Sequence, residues 1–393
     1  MKLQSIFVLT VLNLLNYTDR FLISASLVQL KADFSLSDLQ GGLLFTAFVF
    51  PYLIFSLVLA YRADRTNRFV ILKIGTVVWS SAAVMTSFAQ NFNQLLMCRS
   101  LLGVGEAAFA AVAPAVVHQL FSAGSRGKVM AIFTSALPLG MALGFMGGGA
   151  LADHHGWRAA FLWLGVPALI VSGLFLFVPS QPQAPGERIN LGDELRSLLG
   201  NREYVLLVLG YAAYMFVAGG ASHWMPTYIT NFHHVSLSQA NAIFGGTAIG
   251  FGLLGTLVGG VVGDRLERKR RFGYLKVSWV SMLISFGPFV AMFYAGSVAE
   301  LILWISLSQF FMFFSNSPIT IATLQAATAR QASFAMAVQI FVCHILGDAL
   351  SAPWIGWMSD KTGSLRLGLL GAAPFILIAA LLWYRPQAHQ KMA

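Results

Sequence analysis

Apolar residues run in stretches of about 20, the length needed to cross a bilayer as a helix, with short polar breaks between them. The stretches lie near 5–29, 40–61, 69–90, 94–120, 128–150 and 158–178, and again near 203–230, 239–262, 272–295, 300–325, 332–357 and 366–384. They predict twelve spans. The first lacks a small-residue cleavage site and stays apolar beyond its polar centre, so it reads as a retained helix rather than a signal peptide. The rhythm is interrupted once, at residues 181–201. Pro179, Pro182, Pro185 and Gly186 are followed there by Leu191, Leu195, Leu198 and Leu199 at helical spacing among polar residues. This predicts a cytoplasmic linker carrying a short surface helix. The expected architecture is an all-α membrane protein of two six-helix bundles, residues 1–180 and 202–393, joined by that linker.

Composition agrees with a membrane setting, since 57% of residues are apolar and only 10% are charged. Charge then sets orientation, because basic loops stay in the cytoplasm. Of the 25 Lys and Arg residues, Lys31, Arg158, Lys361 and Arg366 fall on one side and Arg20 and Arg99 lie inside spans. All the others share the opposite side, including the Arg268-Lys269-Arg270-Arg271 run. Both termini are therefore expected in the cytoplasm. The net charge of +10 is explained by topology and contact with anionic lipid and calls for no nucleic acid. Cys98 and Cys343 fall within apolar spans and imply no disulfide framework. His154-His155 and His233-His234 are adjacent pairs whose rings point apart, so no metal site is expected. Neither a phosphate-binding Gly-x-x-x-x-Gly-Lys-Ser/Thr loop nor a nucleophile with its base occurs, which argues against an ATP-driven pump, an enzyme or a cofactor.

The candidate chemistry sits where hydrocarbon is expected. Asn16-Tyr17-Thr18-Asp19-Arg20 occupies the middle of the first span, where a charged side chain costs about 2.5–3.5 kcal/mol on insertion scales. Consecutive residues point about 100° apart on a helix, so Asp19 and Arg20 do not neutralise each other. Counting rise per residue puts Glu106 of the fourth span at a matching depth, which makes it the expected partner of Arg20. Arg99 lies two turns from Glu106, about 10 Å nearer the outer surface. It is left to hold a phosphate or carboxylate, with Asp19 or Glu106 carrying a proton. Weaker candidates for the cavity are Tyr17, His223, Trp224, Asn316, His344 and Asp348; His344 and Asp348 are one turn apart and able to hydrogen-bond. His223, near the outer end of its span, reads as a snorkelling or cavity-wall residue. Ser351 and Pro353 just beyond Asp348 predict a kink in the eleventh span. Gly140, Gly144 and Gly148 have the four-residue spacing of a close helix contact.

An acid recurs in one setting at four helix ends. Asp64-Arg65 with Arg68 follows the second span, and Gly260-Val-Val-Gly-Asp264-Arg265 with Arg268 ends the eighth. Gly149-Ala-Leu-Ala-Asp153 with Gly156 and Gly356-Trp-Met-Ser-Asp360 with Gly363 close the fifth and eleventh. This is the signature of nested three-helix repeats. The loop after the second span resembles the Gly-x-x-x-Asp-Arg-x-x-Arg signature of the major facilitator superfamily, with Ala60 and Asn67 departing from it. The resemblance implies that Asp64, Arg65, Arg68, Asp264, Arg265 and Arg268 form a cytoplasmic gate.

Within that superfamily the chain resembles the Spinster subfamily of lysolipid and sphingoid-phosphate carriers. The likeness rests on Asn16–Arg20, Asp64–Arg68, the Arg99-Ser-Leu-Leu-Gly-Val-Gly-Glu106-Ala segment, Ala136-Leu-Pro-Leu-Gly140 and Gly347-Asp-Ala-Leu-Ser-Ala-Pro353. It implies that Asp19, Arg20, Arg99 and Glu106 form the polar centre of the first bundle, with Asp348 a further embedded acid. It also implies a proton-coupled carrier taking lysophospholipids or sphingoid phosphates by alternating access; a monomer in the plasma (inner) membrane is expected. A carrier of a small organic anion, sugar or drug stays open, as does a non-transporting sensor; Pro138 stands earlier than the fifth-span proline of drug antiporters.

Overall fold

The structure is a computed structural model, described for residues 2–63, 66–120, 129–130, 132–178, 191–269, 272–328 and 331–385. Among the described residues all regular structure is helical. Physics requires this, because a bilayer offers backbone N–H and C=O groups no partner outside the segment itself. Among the described residues ten stretches are long and apolar enough to cross a membrane. One of them, Ile132–Leu176, has 45 residues and is broken at Gly156 (φ 81°, ψ 157°), so it makes two crossings. Phe92–Leu120 adds a 29-residue helix, roughly 43 Å long at 1.5 Å per residue. These described helices lie along the predicted spans.

The chain forms two compact units: Met1–Arg188 with Ala221–Gly246 and Ala352–Gly368, and Ile189–Gly220 with Thr247–Ser351 and Leu369–Ala393. In the first unit glycines set the helix spacing. A β-carbon on Gly144 would lie 2.6 Å from the Thr18 carbonyl oxygen, and one on Gly148 would lie 2.6 Å from the Leu22 side chain. The ridge of small residues therefore seats the first helix, Lys2–Ala25. Gly105 meets Trp79 in the same way and Gly103 meets the backbone of Phe48, locking Phe92–Leu120 against Arg68–Thr86 and Asp38–Ala63. The first span stops at Ala25 rather than near residue 29: Ser26 (φ −106°, ψ 3°) breaks it, and Leu27–Phe34 forms a separate helix.

In the second unit the linker helix is present as Leu191–Gly200. Its Leu198 is buried against Tyr204, Val208 and Ala335, while Leu199 stays exposed. The Tyr204 hydroxyl donates to the Ala335 carbonyl at 2.6 Å, and Asn201 donates to the Ala326 carbonyl at 2.8 Å. Wide turns of π-helix interrupt the fifth, eighth and eleventh spans at Leu143–Gly147, Ala248–Gly252 and His344–Asp348. Such insertions frequently mark functional positions. In the eleventh span the irregularity thus precedes Pro353, which is carried within the helix Ala349–Thr362.

Candidate transport site

Four ionisable side chains meet in the first unit, from two helices. Gly140, Gly144 and Gly148 pack on the Tyr17, Thr18 and Leu22 positions of the first helix, while Asp19 and Arg20 are carried toward Phe92–Leu120. Arg20 donates to Glu106 Oε2 from Nη2 at 2.7 Å and from Nε at 3.3 Å. This is the pair that depth-matching predicts. Glu106 has no exposed side-chain surface, which makes the contact a buried ion pair with a charge-assisted hydrogen bond.

Arg99 and Asp19 make the second pair, one that sequence reasoning missed. Arg99 Nη1 lies 3.6 Å from Asp19 Oδ2, and both side chains are buried. That is an ion contact without a hydrogen bond. All three guanidinium nitrogens of Arg99, both carboxylate oxygens of Asp19 and Oε1 of Glu106 are buried with no hydrogen-bond partner. Groups of this kind are costly unless something completes them. The cluster is thus an arrangement of two bases and two acids with donors and acceptors to spare.

Aromatic faces supply the remaining walls. The Phe48 ring centroid lies 5.1 Å from the Arg20 guanidinium carbon and 5.0 Å from that of Arg99. Tyr17 and Tyr52 lie 5.2 and 5.0 Å from Arg20. These distances suit cation–π attraction, which gains strength where water is excluded. Phe48 and Tyr52 are one helical turn apart in the second span, next to Pro51; nothing in a run of apolar and aromatic residues singled them out.

The other candidates are dispersed. His223 does not snorkel: it is fully buried, with Nδ1 3.0 Å from Ser24 Oγ and Nε2 3.0 Å from the Gly41 carbonyl. A carbonyl only accepts, so Nε2 carries a proton, and in the neutral ring Nδ1 accepts from Ser24. Trp224 is likewise buried and donates to the Ala352 carbonyl at 2.9 Å. In the second unit His344 Nδ1 lies 2.8 Å from Asp348 Oδ2 within the π turn, leaving Asp348 Oδ1 buried and unpartnered. Asn316 meets the Tyr214 hydroxyl.

Of the gate residues, Asp64 and Arg65 lie outside the described residues. Arg68 opens the helix Arg68–Thr86, which Asn67 caps by accepting from the Phe69 N–H at 2.9 Å. Asp264 accepts from the Tyr274 hydroxyl at 2.8 Å, tying its helix to the next one within the second unit. Arg265 and Arg268 lie in the last turns of the helix Leu253–Lys269.

The sequence model of the Major Facilitator Superfamily matches residues 9–347. The chain belongs to that superfamily and is a multi-pass integral membrane transporter. Within it, the chain is similar to spinster proteins. Protein spinster homolog 1 of Xenopus tropicalis is 30% identical over 95% of this chain and 74% of the relative. The sphingosine-1-phosphate transporter SPNS2 of Xenopus tropicalis is 31% identical over 90% and 73%. A solved structure of a bacterial homolog to the human lysosomal transporter Spinster, inward-facing and unoccupied, superposes with a TM-score of 0.87 at 20% identity, covering 97% of this chain and 96% of that one.

Proposed function

We propose that the protein is a proton-coupled carrier of amphiphiles with an anionic head group, such as lysophospholipids or sphingoid phosphates, and that Arg99 and Asp19 are its coupling pair. The observation that carries this reading is the buried contact of 3.6 Å in which neither partner makes a hydrogen bond. With Arg20, Arg99, Asp19 and Glu106 all ionised, the cluster is formally neutral. An anionic head group bound to Arg99 adds negative charge in a setting of low dielectric and removes the cation that stabilises the Asp19 carboxylate. Asp19 then takes up a proton, restoring the balance. Substrate and proton bind together, so they move together, and the expected mode is symport. The aromatic faces around both guanidiniums and the relative named a sphingosine-1-phosphate transporter support the amphiphile class.

The same reading makes Arg20–Glu106 the fixed pair that holds the first and fourth helices in register. Tyr17 lines the head-group site of the first unit, where His223 and Trp224 are wall residues, and Asn316, His344 and Asp348 are the polar candidates of the second unit. Residues 1–180 and 202–393 act as the two rocking bundles, with Asp64, Arg65, Arg68, Asp264, Arg265 and Arg268 as the inner gate. The protein works as a monomer in the plasma (inner) membrane, carries no cofactor and catalyses no covalent chemistry.

Purified protein in proteoliposomes tests the proposal. Lysophospholipid or sphingoid phosphate added to one side is expected to drive proton movement read by an internal pH dye, and Arg99→Ala to abolish it. Movement that persists in Asp19→Asn overturns the coupling. Binding of sugars with no binding of lysolipids overturns the substrate class.

A further inference from the structure

The acids of the fifth and eleventh spans, Asp153 and Asp360, have no place in the site described so far. Each is preceded four residues earlier by a glycine and followed three residues later by another. In the first unit each acid grips the start of a helix from the other half of the sequence. Asp360 accepts the Asp38 N–H on Oδ1 at 2.8 Å and the Leu39 N–H on Oδ2 at 2.9 Å. These are the first two residues of the second span, Asp38–Ala63. Asp153 Oδ2 accepts the Ser238 N–H at 3.2 Å, in the first turn of the eighth-span helix Leu237–Thr247. The first N–H groups of a helix lack partners within it and carry its positive pole, so a carboxylate satisfies them twice over.

The glycines of both motifs serve the same contact. A β-carbon on Gly356 would collide with the backbone of Asp38, and one on Gly149 would lie 2.7 Å from the Asn241 side chain. Gly156 and Gly363, just beyond each acid, have φ of +81° and +68°, a conformation that side-chain-bearing residues adopt only under strain. Each motif is thus a flat approach, a carboxylate and a sharp exit. Side chains reinforce the grip: Ser359 donates to the Asp38 carboxylate, which also pairs with Lys31, and Asn241 donates to the Ala25 carbonyl at 2.9 Å.

We infer that Asp153 and Asp360 are the paired clasps of the outer gate, which hold the transport pathway shut on the side opposite the basic loops and must release for it to open there. The two clasps are related by the internal repeat, fifth span on eighth and eleventh on second, so they act as an equivalent couple. They are positioning residues: they touch no substrate and set which side of the membrane reaches the site. The inference rests on alternating access and on the charge-derived orientation, and is independent of which residue carries the proton.

A thiol-labelling experiment decides it without substrate. Ser26, fully buried, is replaced by cysteine in a Cys98→Ser background, with buried Cys343 kept as a reporter of unfolding. A membrane-impermeant maleimide is added outside right-side-out vesicles. Asp360→Asn and Asp153→Asn, made separately, are each expected to raise the Ser26→Cys labelling rate roughly three- to tenfold, the effect of losing a charge at a helix pole, while Cys343 labelling stays constant. Asp360→Glu is expected to restore most of the protection. An unchanged Ser26→Cys rate in both folded variants overturns the inference, and so does a rise matched by Cys343, which marks loosening of the fold.

Discussion

Asp19 and Arg99 lie 3.6 Å apart with every hydrogen-bonding atom of both side chains otherwise unsatisfied. Opposite charges this close in a dry interior attract strongly, yet the missing hydrogen bonds leave each open to a competitor. The contact is therefore a breakable one, unlike that of Arg20 with Glu106.

The first prediction concerns pH. Asp19→Asn removes one negative charge and leaves the cluster formally positive, so an anionic head group no longer needs a proton to accompany it. Lysophospholipid or sphingoid-phosphate affinity, read by scintillation proximity between pH 6 and 8, is expected to fall with rising pH in the native protein and to become flat in the variant. A variant that keeps the native slope contradicts Asp19 as the titrating group.

Breaking the tighter pair has a different signature. Removing one partner of a buried ion pair strands the other charge, and Glu106→Gln or Arg20→Gln is expected to cost about 3–5 kcal/mol. Replacing both, as Arg20→Met with Glu106→Leu, is expected to recover much of that loss. Thermal unfolding of the three variants in detergent measures it, and a double variant no more stable than the singles speaks against the pair as an isolated unit.

Glycine substitutions separate the helix contact from mere flexibility. Gly144→Ala places a β-carbon 2.6 Å from the Thr18 carbonyl and is expected to cost about 1–3 kcal/mol through forced backbone movement. At Gly147, in the same π turn, a β-carbon meets nothing within 4 Å; alanine there is expected to change stability by less than about 0.5 kcal/mol. Melting curves of the two variants form the comparison.

The hydrogen bonds of His223 fix its tautomer. Nitrogen-15 shifts of labelled protein are expected to report Nε2–H and an unprotonated Nδ1. His223→Phe keeps a ring of similar size but leaves the Gly41 carbonyl and Ser24 hydroxyl without their partner, a loss of about 1–3 kcal/mol. An Nδ1–H signal in the folded native protein rules out the arrangement.

Much of this was legible because the bilayer leaves few options. A charge in an apolar span must meet its complement, so depth-matching alone joined Arg20 to Glu106, and four-residue spacing alone picked out Gly140, Gly144 and Gly148 as a contact face. The second pair is not legible because rise per residue fixes only the distance of Arg99 from Glu106, while its side chain turns toward Asp19. Long side chains reach across several ångströms in directions that rise per residue does not describe. Phe48 and Tyr52 gave no signal, since an aromatic that backs a guanidinium has the same spacing as one that faces lipid. The three π turns were equally hidden: one extra residue in a turn leaves an apolar stretch just as apolar. Ser24 and Gly41, the partners of His223, lie far from it in sequence and only the packed helices bring them together.

The outer clasps draw their donors from main chain rather than side chains. Every residue except proline furnishes an N–H, so the gripped positions at Leu39 and Ser238 are free to drift in identity without loosening the hold, whereas the gripping acids and their glycines are not, nor is Asp38, whose carboxylate also accepts from Ser359. Constraint thus falls chiefly on the gripping partner of each contact. Relatives that keep the mechanism are expected to preserve the acid and both glycines at the ends of the fifth and eleventh spans, while the first turns of the second and eighth, Asp38 apart, vary widely and exclude proline at the donating positions.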